Sequence, residues 1–238
     1  MSERLDKYMC DTKMVLTRSQ ARMLIKQGDV HVNGKQVTKP GTNVSENDQI
    51  EIKERKLYVS RGAYKLVGAI EAFELDFNGK TIMDCGASTG GFTQVSLEHG
   101  ASRVYALDVG HDQLAQVLRD DSRVINQEGI NLKNPFELDE LCDGFVMDLS
   151  FISLKLVIDN VIRNLKPGGF GVLLIKPQFE IGREKIGKNG IVQVEDALKC
   201  ANEVHTWLKT KFASVSEMID SPIKGKTGNK EYLVKVAL

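Results

Sequence analysis

Asp84-Cys85-Gly86-Ala87-Ser88-Thr89-Gly90-Gly91-Phe92 is the most informative run in the sequence. It follows the strand-like run Thr81-Ile82-Met83-Asp84 and opens a helical candidate near 92–99. Small residues between a strand and a helix let the backbone pass close to a ligand. The next strand-like run, Arg103-Val104-Tyr105-Ala106-Leu107-Asp108, ends in an acid 22 residues after Gly86. A carboxylate there can accept from both hydroxyls of a nucleoside ribose.

Three chemistries compete for this loop. A dinucleotide site asks for G-x-G-x-x-G, but Ser88 stands at the second glycine and Gly90 and Gly91 are displaced, which disfavours NAD. S-adenosylmethionine has no pyrophosphate and tolerates a looser loop, and an acid two residues before the first glycine, Asp84, suits a methyltransferase. Gly86-Ala87-Ser88-Thr89-Gly90 also matches the nucleophile elbow G-x-S-x-G of hydrolases. That reading needs a late histidine on a loop, and His205 falls inside a helical pattern, so the methyltransferase reading leads.

Outward from the loop, strand-like and helical runs alternate. Further strands are expected at Ser122–Ile125, Gly144–Asp148 and Phe170–Ile175, with two more near 213–219 and 231–237. Helices are expected near 111–119, 153–165 and 194–211. Seven strands with apolar cores predict an α/β, Rossmann-like sheet, mostly parallel and covered on both faces.

Residues 1–53 read as a separate small α+β domain, joined by a charged linker over 54–60 to a domain over 61–238. Thr17 or Ser19 caps a helix that stops at Gly28, with Ala21, Leu24 and Ile25 as its apolar face. Arg18, Arg22 and Lys26 repeat every four residues and share another face. Asn33-Gly34 is a two-residue hairpin turn between Asp29–Val32 and Lys35–Val37, and Gln49–Ile52 closes a small sheet.

The 238 residues carry 32 basic and 32 acidic side chains. Residues 1–65 hold 13 Lys/Arg against 8 Asp/Glu, and the remainder 19 against 24, so basic charge gathers at the N-terminal end. Such an excess suits nucleic acid. No apolar run approaches the roughly 20 residues that cross a bilayer, and Met1–Asp6 has no signal-type apolar core. Four scattered cysteines suggest reduced thiols, with no disulfide frame or metal site. A cytoplasmic protein needing no metal is expected.

Arg4-Leu5-Asp6 and Ser19-x-x-x-x-Leu24-Ile25-x-x-Gly28-x-Val30-x-Val32-Asn33-Gly34 closely resemble the alpha-L RNA-binding domain named after a ribosomal small-subunit protein. Arg4, Lys35 and Arg61 join Arg18, Arg22 and Lys26 as candidate RNA contacts. Downstream, Lys65, Asp148, Lys176 and Glu231 fall in the order and motifs of the Lys-Asp-Lys-Glu quartet of FtsJ-like ribose methyltransferases. A ribose 2′-hydroxyl is a poor nucleophile, and a lysine takes its proton only when burial or a second cation makes the lysine easier to neutralise. Lys176 is expected to be that base, with Lys65 as the second cation and the two carboxylates positioning both amines. Asp148-Leu149-Ser150-Phe151 also reads as a degenerate D-P-P-F amino-methylating motif, but both prolines are missing.

The whole chain is similar to the TlyA family, whose members carry a haemolysin name and methylate ribosomal RNA ribose. The supporting segments include Val59-Ser60-Arg61-Gly62, the Gly86–Phe92 loop, Asp148–Leu154, Lys176-Pro177-Gln178-Phe179-Glu180 and Gly228-Asn229-x-Glu231. The resemblance implies 2′-O-methylation of cytidine in ribosomal RNA or a ribosomal subunit. It implies an S-adenosylmethionine site built from Asp84, Gly86, Ala87, Ser88, Gly90, Gly91, Phe92, Asp108, Asn131 and Asp148. Gly129-Ile130 stands where the family has Arg-Thr before Asn131, and Ala63-Tyr64 where it has Gly-Leu. The stretch 177–190 is expected to grip RNA phosphates through Arg183, Lys185 and Lys188. A membrane-active haemolysin and a non-catalytic ribosome assembly factor are the alternatives from other classes.

Overall fold

The computed structural model describes residues 2–15, 17–53 and 58–238, and the chain divides after Arg61 into two units. Residues 54–57, part of the expected linker, lie outside the described residues.

The first unit is built around two helices. Strand β1 (Glu3–Arg4) leads into α1 (Leu5–Asp11), followed by α2 (Arg18–Gln27), β2 (Val30–Val32), β3 (Lys35–Val37), β4 (Asn43–Val44) and β5 (Ile50–Ile52). The Thr17 hydroxyl accepts from Gln20 N at 3.1 Å and caps α2, while Gly28, at φ 78°, ends it in the left-handed region. Asn33 and Gly34 both take positive φ, 51° and 74°, as a two-residue hairpin turn requires. Strand β2 pairs with β3 and β5, and β1 pairs with β4. Helix α1 was not expected from the sequence. It buries Leu5 and Met9, one turn apart, against Ala21, Leu24 and Ile25 of α2.

The second unit runs α3 (Ala63–Phe73), β6 (Thr81–Cys85), α4 (Gly91–Glu98), β7 (Arg103–Asp108), α5 (Gln116–Arg119), β8 (Val124–Glu128), β9 (Cys142–Met147), α6 (Ile158–Ile162), β10 (Leu165–Ile175), α7 (Pro177–Glu180), α8 (Val194–Leu208), β11 (Ser214–Val215), β12 (Ile219–Asp220) and β13 (Tyr232–Ala237). The sheet order is β11-β13-β10-β9-β6-β7-β8, with β12 also on β13. Strands β10, β9, β6, β7 and β8 are mutually parallel, while β13 runs antiparallel to β10. Strands β11 and β12 occupy the run expected as one strand. Between Val215 and Ile219 the chain takes four steps while its partner β13 takes three, from Val236 to Leu233, so they form one edge strand broken by a bulge.

Two expected helices are shorter. The run 111–119 is helical only from Gln116, because Asp112 takes φ 55° and its N–H turns to the Glu128 carboxylate. The run 153–165 splits at Val157, whose φ of −122° separates a single 3₁₀ turn from α6. The core joins alternate strand residues such as Met83, Tyr105, Phe145, Met147 and Leu173 to the buried face of α8, including Ala201, Val204 and Leu208.

Candidate active site

The sheet register assembles three of the four charged residues, and a helix brings the fourth. Ile175 of β10 faces Tyr232 of β13, so the next positions along this antiparallel pair, Lys176 and Glu231, leave the sheet side by side. Asp148 directly follows β9, the parallel neighbour of β10. Lys65 lies in the first turn of α3. Lys65 Nζ donates to Asp148 Oδ2 at 3.0 Å and to Glu231 Oε2 at 2.7 Å, and Lys176 Nζ lies 2.5 Å from Asp148 Oδ1. Two lysines therefore share one carboxylate, and a second carboxylate serves Lys65 alone.

All four are largely withdrawn from water, with side chains of Lys65 and Lys176 at 8% exposure, Glu231 at 2% and Asp148 at 17%. Burial favours the neutral forms, but the partners decide the outcome. Burial pulls Lys65 down, yet Asp148 and Glu231 together hold its ammonium above the usual lysine range. Burial pushes Asp148 up, yet Lys176 and Lys65 hold it below the usual carboxylate range. Lys65 is thus locked as a cation. Lys176 has one shared carboxylate and the Ser150 hydroxyl, 3.1 Å away.

A cavity of about 460 Å³ adjoins this cluster. Among the expected cofactor residues, Gly86, Ser88, Asp108, Asn131 and Asp148 line it. Gly86 takes φ 86°, and a Cβ there would stand 2.9 Å from Leu149, so only glycine keeps this wall open. The Asp108 carboxylate accepts from Ser88 N and Gly110 N, both at 2.8 Å, which fixes an acid at the cavity wall.

The other expected cofactor residues, Asp84, Ala87, Gly90, Gly91 and Phe92, are not among the cavity's lining. At Gly90 a Cβ at its φ of 98° would collide with Leu118. Phe92 is buried in α4. Asp84 is fully buried and accepts from Thr93 Oγ1 at 2.7 Å, and burial pushes its carboxyl up to about 7.

Several site residues escaped the sequence reading. Gln178 Nε2 donates to Glu231 Oε1 at 3.2 Å, Ser150 accepts from Lys176, and Gln113 lines the cavity beside Asp108. Gln178 and Ser150 lie in segments singled out by resemblance, but no spacing rule assigns them a partner. Phe151 is 90% exposed at the cavity, with φ 64°, a conformation uncommon for a bulky residue. It packs on Phe179 with ring centroids 5.0 Å apart. His205 is buried in α8, and its Nε2 donates to the Ser216 carbonyl at 2.7 Å, a structural bond. Arg4, Arg18, Arg22, Lys26, Lys35, Arg61, Arg183, Lys185 and Lys188 are all exposed. The basic repeat on α2 is divided, because Arg18 and Arg22 turn to Asp6 together with Arg4, without Lys26.

A mostly parallel sheet with a glycine-bearing first loop, an acid ending the second strand and a cavity at the strands' carboxyl ends defines a Rossmann-like methyltransferase domain. Residues 58–237 match the FtsJ-like methyltransferase family and residues 3–50 match the S4 domain. Hemolysin A of Brachyspira hyodysenteriae is 41% identical, with 97% of this chain and 98% of that protein covered. The 16S/23S rRNA (cytidine-2′-O)-methyltransferase TlyA of Mycobacterium tuberculosis is 37% identical, covering 97% of this chain and 88% of that one. A solved structure described as a hemolysin from Streptococcus thermophilus superposes with a TM-score of 0.75 at 39% identity, covering 99% of this chain and 88% of that one. The chain belongs to the FtsJ-like methyltransferases, and within them to the TlyA group.

Proposed function

We propose that this protein transfers a methyl group from S-adenosylmethionine to the 2′-hydroxyl of a cytidine in ribosomal RNA. The observation that carries the proposal is the Lys65-Asp148-Lys176-Glu231 cluster beside the Gly86–Asp108 cavity. The cavity suits the cofactor chemically. Asp108 offers a carboxylate for ribose hydroxyls, Asn131 offers a side-chain amide on the cavity wall, and the Gly86–Ser88 backbone allows close approach. When bound, S-adenosylmethionine supplies an electrophilic methyl that needs no metal.

The chain's own residues do the rest. Asp148 holds both lysine side chains at the cavity edge, and Glu231, steadied by Gln178, keeps Lys65 charged. Lys176, as the free amine, accepts the 2′-hydroxyl proton on Nζ as the oxygen takes the methyl, and Lys65 orients that oxygen. Phe151 presents a flat face for the acceptor base. The exposed Arg183, Lys185 and Lys188 contact flanking phosphates, and the first unit supplies further RNA affinity through Arg4, Arg18, Arg22, Lys26, Lys35 and Arg61.

The haemolysin name belongs to the relatives that carry it. Among the described residues no helix is long and apolar enough to cross a membrane. The test is mass spectrometry of nucleosides from ribosomal RNA incubated with the purified protein and S-adenosylmethionine. The expected product is 2′-O-methylcytidine. A base-methylated nucleoside, or none, overturns the proposal.

A further inference from the structure

Asp6 is fully buried, yet three arginines from two separate stretches converge on it. Arg4 donates from Nε to Oδ1 at 2.9 Å and from Nη2 to Oδ2 at 3.1 Å. Arg22 Nε and Arg18 Nη2 reach Oδ2 at 2.7 and 3.2 Å. The backbone fixes this carboxylate, since Leu5 N donates to Thr42 O at 2.8 Å and Asp6 N to Pro40 O at 3.1 Å. The Arg4 hydrogen bonds, reinforced by Arg22 and Arg18, outweigh burial and hold Asp6 far below the usual carboxylate range.

Three guanidiniums against one carboxylate leave a net charge of three minus one, or +2, on one small surface. One arginine would neutralise the buried acid, so the surplus needs another explanation. The three side chains stay 45–51% exposed. Each planar fork carries five donors, and the pairing to Asp6 commits one or two of them. Uncommitted donors on neighbouring forks match the oxygens of a phosphate, with bidentate geometry that a lysine does not provide. Without a shared anchor the three cations would repel one another, and each long side chain would sample many rotamers.

We infer that Asp6 is a positioning residue that organises Arg4, Arg18 and Arg22 into one preformed site for RNA backbone phosphate. The inference rests on reading the N-terminal unit as RNA-binding and adds that the arginines act as a fixed constellation, beyond their charge.

The two ideas predict opposite signs for one substitution. Asp6→Asn removes a negative charge from a basic surface, so arginines acting as loose charges would bind RNA more tightly. A positioned constellation loses its anchor and binds more weakly. The full-length protein is titrated with purified 23S ribosomal RNA near physiological salt. At least about a fivefold rise in Kd is expected for Asp6→Asn, with S-adenosylmethionine affinity unchanged. Equal or tighter binding overturns the inference, and if the Arg4, Arg18 and Arg22 triple alanine variant is weakened in the same assay, RNA binding by this unit survives. If the triple variant also binds normally, the RNA-binding reading itself fails. Arg22→Lys decides the matter if Asp6→Asn unfolds. Weakening close to that of Arg22→Ala supports a required fork, and wild-type affinity overturns it.

Discussion

Two clusters in this chain set cations against carboxylates, and they differ in ratio, residue type and exposure. In the N-terminal unit three arginines meet one buried aspartate and remain about half exposed. In the C-terminal unit two lysines meet two carboxylates, with both ammonium groups nearly sealed. A surplus of permanent cations at the surface can hold a polyanion but cannot exchange a proton. A balanced, buried set of lysines holds no net charge for a polyanion, but one amine can become neutral and act as a base. On the proposed function, the difference separates holding the substrate from reacting with it, and each feature of that contrast can be broken by one change.

Residue type gives the largest effect. Lys176→Arg keeps the charge beside Asp148 but puts in a group that stays protonated, so single-turnover methylation at saturating substrates should fall at least about a thousandfold, as for Lys176→Ala. RNA and cofactor affinities should hold. A near wild-type rate would reduce Lys176 to a source of positive charge. Exposure gives the next. Lys65→Met leaves buried Glu231 without a cation and Asp148 with Lys176 alone, and should cost about 3–5 kcal/mol of stability, while Arg22→Ala at the open cluster should cost under about 1 kcal/mol. Chemical denaturation of the two variants measures the gap, and equal losses would erase the distinction.

The cofactor wall lies between these extremes. Asp108→Ala should weaken S-adenosylmethionine binding by about 1.5–3 kcal/mol through loss of a charge-assisted acceptor, as read by calorimetry. Acid should separate the clusters by a smaller margin. Asp6 has a lowered folded pKa, so its contribution to stability is present above the unfolded carboxylate value of about 4 and is lost as pH falls below it. Between about pH 5 and pH 3 the wild type should therefore lose more thermal stability than Asp6→Asn, whose amide does not titrate there. Parallel melting curves for the two proteins would contradict the ion cluster.

The sequence revealed these clusters unequally, for a physical reason. Lys65, Asp148, Lys176 and Glu231 each sit at the end of a strand or the start of a helix, where periodicity changes. The meeting of the last three then follows from sheet register, which an alternating α/β pattern largely determines. Asp6 gave no such signal, because its partners come from Arg4 beside it and from a helix that only the packing of α1 on α2 brings near. The basic repeat of α2 was visible, but its division, with Lys26 left out, depends on α1, an element too short to announce itself. The cofactor loop shows a similar limit. Gly86 and Asp108 stood out in the sequence and line the cavity, whereas Gly90 and Phe92 do not line it, and only three-dimensional neighbours such as Leu118 make that difference.

The broken strand beside β13 has a consequence for how the molecule behaves in a crowd. A sheet ends in a row of unpaired amides and carbonyls, and a straight rim is a template on which another chain can extend the ladder. Here the outermost strand is cut into two pairs of residues by the bulge after Val215, and the interval is spent internally. The Ser216 carbonyl accepts from His205, and its hydroxyl accepts from Lys235 N. What faces outward is two short steps out of line with each other. The rim is thereby a poor seed for aggregation, and that protection comes from a single extra residue.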